Sequence, residues 1–145
     1  MQSPPRPPTY ALQEIVQLSR AFERHLGQQL TVNATDLAAM EHLIRSGPLG
    51  PGELARRLGI TPPAVTAAVD RLEDLGHVTR EPNPADRRAI VVTPAPESAE
   101  KAMSILMPMI GDIDSTLDGF DTDEQATIAA YLERVVEAYR AHIPS

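Results

Sequence analysis

The sequence predicts a mainly α-helical fold with one β-hairpin and long helices at both ends. Three observations carry that expectation. Apolar residues recur at helical spacing near both ends of the chain. Glycine and proline cut the middle into short helical segments. After Gly76 two stretches alternate as strands do, on either side of a proline-rich turn.

Residues 1–8 read as a disordered, Pro-rich tail, and residues 9–145 as a single domain. From about Thr9 to Leu30, the positions Leu12, Ile15, Leu18 (or Val16), Phe22 and Leu26 fit one helix. Thr35 or Asn33 caps a second helix carrying Leu37, Met40, Leu43 and Ile44. The run Ser46 to Gly52, with three glycines and two prolines, breaks it. A short helix from about Gly52 to Leu58 ends at Gly59. Thr61 caps the next helix, Pro62 takes its first position, and Gly76 stops it after Leu75.

His77 to Glu81 and Ala89 to Thr93 are the expected strands, with Pro82 to Asp86 as an exposed, charged turn. A long helix runs from about Pro96 to Leu117, and Pro108 inside it predicts a bend. Asp121 or Thr122 caps the last helix, whose stripe is Ile128, Leu132, Val135, Val136 and Tyr139.

Composition narrows the function classes. Of the 145 residues, 42% are hydrophobic and only 3% aromatic, so the core is aliphatic. No apolar run approaches the ~20 residues that span a membrane. The start of the chain lacks an apolar signal-peptide core, so the cytoplasm is the expected location. The chain has no cysteine, which excludes disulfides, thiol nucleophiles and Cys-ligated zinc. His25, His42, His77 and His142 show no i, i+4 pairing, so no metal and no cofactor is expected. There is no phosphate loop, nucleophile elbow or His-Glu-x-x-His, so no catalytic residues are assigned and the chain is not expected to be an enzyme.

The net charge of -7 is unevenly spread. Between Pro51 and Thr93, six arginines meet six acids, so that segment is neutral and the acidity lies outside it. Lys101 is the only lysine. Arginine suits phosphate forks and narrow minor grooves. A genome-wide codon bias explains the same skew equally well.

The informative stretch is Glu53 to Gly76. Leu54, Ala55 and Leu58 share one face of the first short helix, and Ala55 is small enough for close approach. Gly59 permits the turn and Ile60 plugs it. Val65, Ala68, Val69 and Leu72 follow i, i+3, i+4, i+7 and face the core. Opposite them lie Pro63, Ala64, Thr66, Ala67, Asp70 and Arg71, small or polar residues that let a backbone approach base edges in a ~12 Å major groove. Spacing alone would also fit an ordinary helical hairpin. The strand pair that follows makes it a winged helix-turn-helix, with Asp86, Arg87 and Arg88 at the wing tip.

From Leu54 to Thr93 the chain resembles the MarR family of bacterial regulators. The matching pieces are Leu54-Ala55, Gly59-Ile60, Val65-Thr66, Val69 to Glu73, Gly76 to Arg80 and Asp86 to Arg88. The order of long leading helix, winged module and two trailing helices extends the likeness to roughly Thr9–His142. The resemblance implies a DNA-binding lobe over 34–95 and dimerisation helices over 9–30 and 96–143. It implies a transcription regulator, by default a ligand-responsive repressor, that binds a pseudo-palindromic operator in double-stranded DNA as a homodimer. Thr61, Pro63, Ala64, Thr66, Ala67 and Arg71 are then expected at the major groove or phosphates. Arg88 is expected in the minor groove, steadied by Asp86, with Arg87 beside it.

Ile15, Phe22, Leu132, Val135, Val136 and Tyr139 are the candidate dimer contacts, because a small central module has little core of its own. Relatives bind small, often aromatic anions between the lobe and the dimer helices. Arg20, Arg24, His25 and His42 could line such a pocket, although each reads more readily as an ordinary surface or packing residue. The family closes the second wing strand with Leu-Thr and a nearby Gly, whereas Val92 to Ser98 here has extra prolines and no Gly. Either the strand ends early, or Pro94 and Ala95 replace that pair. The competing function is a winged-helix module that docks proteins without binding DNA.

Overall fold

The computed structural model describes residues 2–145. Its elements are α1 (Pro7–Leu30), α2 (Ala34–Ser46), α3 (Pro51–Leu58), α4 (Pro62–Asp74), β1 (Val78–Asn83), β2 (Asp86–Pro94), α5 (Pro96–Ser115), a 3-10 turn (Thr116–Gly119) and α6 (Thr122–His142). This is a mainly helical winged helix with a two-stranded wing and long helices at both ends. No helix among the described residues is long and apolar enough to cross a membrane.

Local chemistry sets most boundaries. Asn33, not Thr35, caps α2 by accepting from the Asp36 amide at 2.8 Å. Thr61 caps α4 by accepting from the Ala64 amide at 3.3 Å. Asp121 and Glu124 form a capping box at the start of α6. Gly76, at φ 78°, turns the chain out of α4 in the left-handed region that suits glycine. One boundary corrects the sequence expectation. Pro7 and Pro8, placed in the disordered tail, instead open α1. Proline is pre-set for a first helical turn and has no amide hydrogen to leave unbonded there.

α1 ends without a glycine. Thr31 takes the left-handed conformation at φ 61°, and its amide bonds back to Gln28 while the Val32 amide reaches Gly27. A Cβ on Gly27 would stand 3.0 Å from the Val32 carbonyl oxygen, which explains a glycine inside the last turn.

The wing differs from expectation at both ends. β2 runs through Pro94 and α5 starts at Pro96, so Pro94 extends the strand end while Ala95 is the one-residue link to α5. The tip turn is only Pro84 and Ala85, because the strands reach Asn83 and Asp86. The register jumps from Pro82↔Ile90 to Asn83↔Asp86, so Arg87, Arg88 and Ala89 bulge out of the ladder. At the root, Leu49 pairs with Val92 through two backbone bonds of 3.1 and 2.7 Å, tying the α2–α3 loop to the hairpin.

The chain divides into two compact units, Met1–Leu106 and Met107–Ser145, where the sequence suggested a single domain. Every buried apolar side chain among the described residues belongs to the first. Leu54, Val65, Ala68, Val69 and Leu72 are buried, as their spacing predicts, and Leu43, Met40 and Val92 join them. In the second unit, α6 buries no residue, and of its apolar stripe only Ile128 and Val135 are half-buried. α5 continues as helix through Pro108.

Candidate nucleic-acid interface

α3 and α4 pack as a helix-turn-helix around Leu54 and Val65, with Gly59 at φ 65° in the turn. That packing turns the opposite face of α4 to solvent. Thr61, Pro63, Ala64, Thr66, Ala67 and Arg71 are all exposed there. The same face carries Asp70.

The arginines of the winged segment do not stand equal. Arg56 and Arg57 both bond Glu53 on α3, and they pull its carboxyl from the ordinary 4.5 down to about 2. Arg80, at the root of β1, reaches Asp70 at 2.6 Å and Glu73 at 2.9 Å, clamping the wing to α4. Arg71 forks onto Asp36 of α2 through two 2.9 Å bonds. Hydrogen bonding to that carboxylate raises the Arg71 pKa and keeps the guanidinium charged. Asp36 is the one buried charged residue described, and nothing in its local sequence marked it. Arg87 and Arg88 alone of the six have no carboxylate partner among the described residues, and both are exposed beside the tip turn.

Asp86 lies beside Arg88, but it holds the backbone. Its Oδ1 accepts from the Arg88 amide at 3.0 Å, and Asn83 Oδ1 accepts from the Ala85 amide at 2.9 Å. These two bonds fix the turn and the start of the bulge, leaving the Arg88 guanidinium unpaired.

His77 joins three elements within the first unit. Its Nε2 lies 2.8 Å from the Leu30 carbonyl oxygen at the end of α1. A carbonyl can only accept, so Nε2 carries the proton. Nδ1 lies 2.8 Å from the Ser98 hydroxyl oxygen of α5.

The expected dimer contacts are open to varying degrees. Ile15, Leu132, Val136 and Tyr139 are 42 to 58% exposed, while Phe22 and Val135 are half-buried. Two cavities flank α2. One, of about 550 Å³, lies between α1 and α2 and is lined by Arg20 and Arg24 together with Glu23 and Glu41. Burial raises the Glu41 pKa, Glu23 adds to that, and Arg45 opposes it. The other, of about 390 Å³, is walled by Leu26, Met40, Ile44, Met103 and Leu106, with Glu41 and Arg45 also lining it. His25 and His42 line neither.

Residues 29–89 match a family model described as "MarR family". An HTH-type transcriptional regulator of Bacillus subtilis, YcgE, is 37% identical over 97 residues, covering 67% of this chain and 61% of its own length. A regulator of Mycobacterium leprae, ML2140, is 35% identical over 86 residues, 59% of each chain. The chain therefore matches about three-fifths of the length of these relatives. Among solved structures, a MarR-like transcriptional regulator from Thermotoga maritima superposes with a TM-score of 0.70 at 27% identity, covering 91% of this chain and 96% of that one.

Proposed function

Since this chain belongs to the MarR family of winged helix-turn-helix regulators, we propose that it binds a pseudo-palindromic operator in double-stranded DNA as a homodimer and represses transcription there. The observation that carries this is the distribution of free positive charge. Four of the six arginines in the winged segment are bound to carboxylates of the same chain. Arg87 and Arg88 are held out of the strand ladder with no such partner. Two unneutralised guanidiniums on a projecting hairpin suit a narrow minor groove, where the potential is most negative. α4 presents a low, exposed face that suits the major groove beside it.

Dimerisation is supported by the apolar stripes. Ile15, Phe22, Leu132, Val135, Val136 and Tyr139 bury in a second copy, and twofold symmetry sets two α4 helices about one DNA turn apart. The largely apolar cavity walled by Leu26, Met40, Ile44 and Met103 supports a small aromatic effector, with Arg45, beside Glu41, as the partner for an anionic group on it.

Fluorescence anisotropy tests the proposal, using DNA fragments tiled upstream of the gene for this protein at two salt concentrations. One fragment is expected to bind tightly and salt-sensitively. Arg88→Ala then loses roughly tenfold or more in affinity while remaining folded and dimeric. Undiminished binding by Arg88→Ala would show that the wing does not hold DNA. Equal, weak binding to every fragment would send the search to a genome-wide pull-down and favour the protein-docking alternative.

A further inference from the structure

We propose that α4 selects its DNA by the C5-methyl groups of thymines, read through Ala64, Thr66 and Ala67, and not by hydrogen bonds to base edges. This rests on the proposal that α4 enters the major groove, and deepens it.

The argument starts from what the polar side chains of α4 are already doing. The Thr61 hydroxyl oxygen accepts from the Ala64 amide at 3.3 Å. The Thr66 hydroxyl donates its only proton to the Pro62 carbonyl at 3.2 Å. Asp70 accepts from Arg80 at 2.6 Å, and Arg71 is forked onto the buried Asp36. From Thr61 to Arg71, every exposed polar side chain thus has a partner inside the chain. Base edges are most often read by bidentate Arg, Lys, Asn or Gln. α4 contains no Lys, Asn or Gln, and its one Arg is the residue held by Asp36.

What remains outward on this face is apolar and short: the methyls of Ala64 and Ala67, the Thr66 methyl and the Pro63 ring. The one apolar feature of a major-groove base edge is the thymine methyl, which Ala and Thr side chains contact. The wing favours the same base composition on separate grounds. A·T tracts narrow the minor groove and draw in arginine, and Arg87 and Arg88 are the two arginines of the winged segment without a carboxylate partner among the described residues. Both elements therefore fit a half-site rich in A·T pairs.

The test uses the intact protein and duplexes enriched by it from a random-sequence pool. Thymines of the enriched site are replaced one at a time by uracil. A U·A pair keeps every hydrogen-bonding group in both grooves and lacks only the methyl. At two or more positions in each half-site, affinity is expected to fall about fourfold per methyl removed. At the same positions, 5-methylcytosine should bind more tightly than cytosine. Thr66→Ser keeps the hydroxyl and loses the methyl; Thr66→Val does the reverse. Serine is expected to weaken binding to the thymine site but not to the site already carrying uracil beneath residue 66, and valine to bind like the wild type. Circular dichroism establishes that both variants are folded.

A fully uracil-substituted site bound as tightly as the thymine site would overturn methyl reading while leaving DNA binding intact. Loss of binding by valine with retention by serine would overturn it in favour of the hydroxyl. If the pool yields no enriched duplex, the DNA-binding proposal fails, and methyl reading with it.

Discussion

Arg71, on the exposed face of α4, is anchored to Asp36, a buried carboxylate at the start of α2, by two parallel 2.9 Å hydrogen bonds. The pair spans 35 positions of sequence. It joins the last turn of α4 to the first turn of α2, each charge lying where the helix dipole favours it.

The two halves of this pair should respond unequally to removal. Asp36→Leu deletes the buried charge and lets Arg71 turn to water, so stability stays within about 1 kcal/mol of wild type. Arg71→Leu strands the Asp36 carboxylate without a counter-charge. Its urea midpoint should fall clearly further than that of Asp36→Leu. Equal midpoints for the two variants would mean that the carboxylate is not held by Arg71.

Left-handed positions give a second, opposed pair of expectations. Gly76 sits at φ 78° with no atom near its missing Cβ, so Gly76→Ala should cost about 1 kcal/mol through backbone strain alone. Thr31 is a β-branched residue at φ 61°. Thr31→Gly relieves that strain and should gain roughly 0.5 to 1 kcal/mol. Urea unfolding of both variants reads the signs directly.

Acid sensitivity should trace in part to Glu53. Hydrogen bonds from Arg56 and Arg57 hold its carboxyl at about 2, below the ordinary 4.5. The folded chain therefore resists protonation there. The contribution is whole above pH 4.5 and is lost as pH falls toward 2. The site is on the surface, so the effect is small. In thermal melts across this range, Glu53→Gln should show a shallower acid decline than wild type. Parallel declines would exclude the Arg56 and Arg57 pairing in solution.

His77 should prove to be a joint. His77→Leu removes the donor to the Leu30 carbonyl and the hydrogen bond with Ser98 together, at a cost of about 1 to 2 kcal/mol. Glutamine at this position offers an amide donor and should recover part of the loss. Amide exchange in the last turn of α1 should quicken in the leucine variant, which loses the bond to the Leu30 carbonyl. Unchanged exchange would remove the bond from the account.

Features set by neighbouring residues were legible in the sequence. The cap at Thr61, the stop at Gly76 and the buried face from Val65 to Leu72 depend on spacings of a few residues, whereas the choice of Asn33 over Thr35 and of Asp121 over Thr122 came only with the structure. The start of α1 was misread because a proline string reads as a tail unless helix follows directly. The state of each arginine was not legible. Arg80 and Arg87 look alike in sequence, but only tertiary structure brings Asp70 and Glu73 to the first. The bulge at Arg87 to Ala89 was hidden for a related reason: it depends on which residues meet across the hairpin. Arg71, expected at DNA, is also the Asp36 anchor, and the buried acid that reveals this lies in a different helix.

The Leu49–Val92 bridge has an evolutionary consequence. It fixes the hairpin at its base, through backbone atoms that no substitution other than proline removes. Pro84 and Ala85, at the far end, carry no comparable tether. Insertions or deletions at that tip alter the reach of the hairpin without disturbing the packed helices beneath it, as exposed loop tips generally permit. Descendants of this chain can therefore retune how far they extend along a target by changing one short segment, while inheriting the rest of the lobe unaltered.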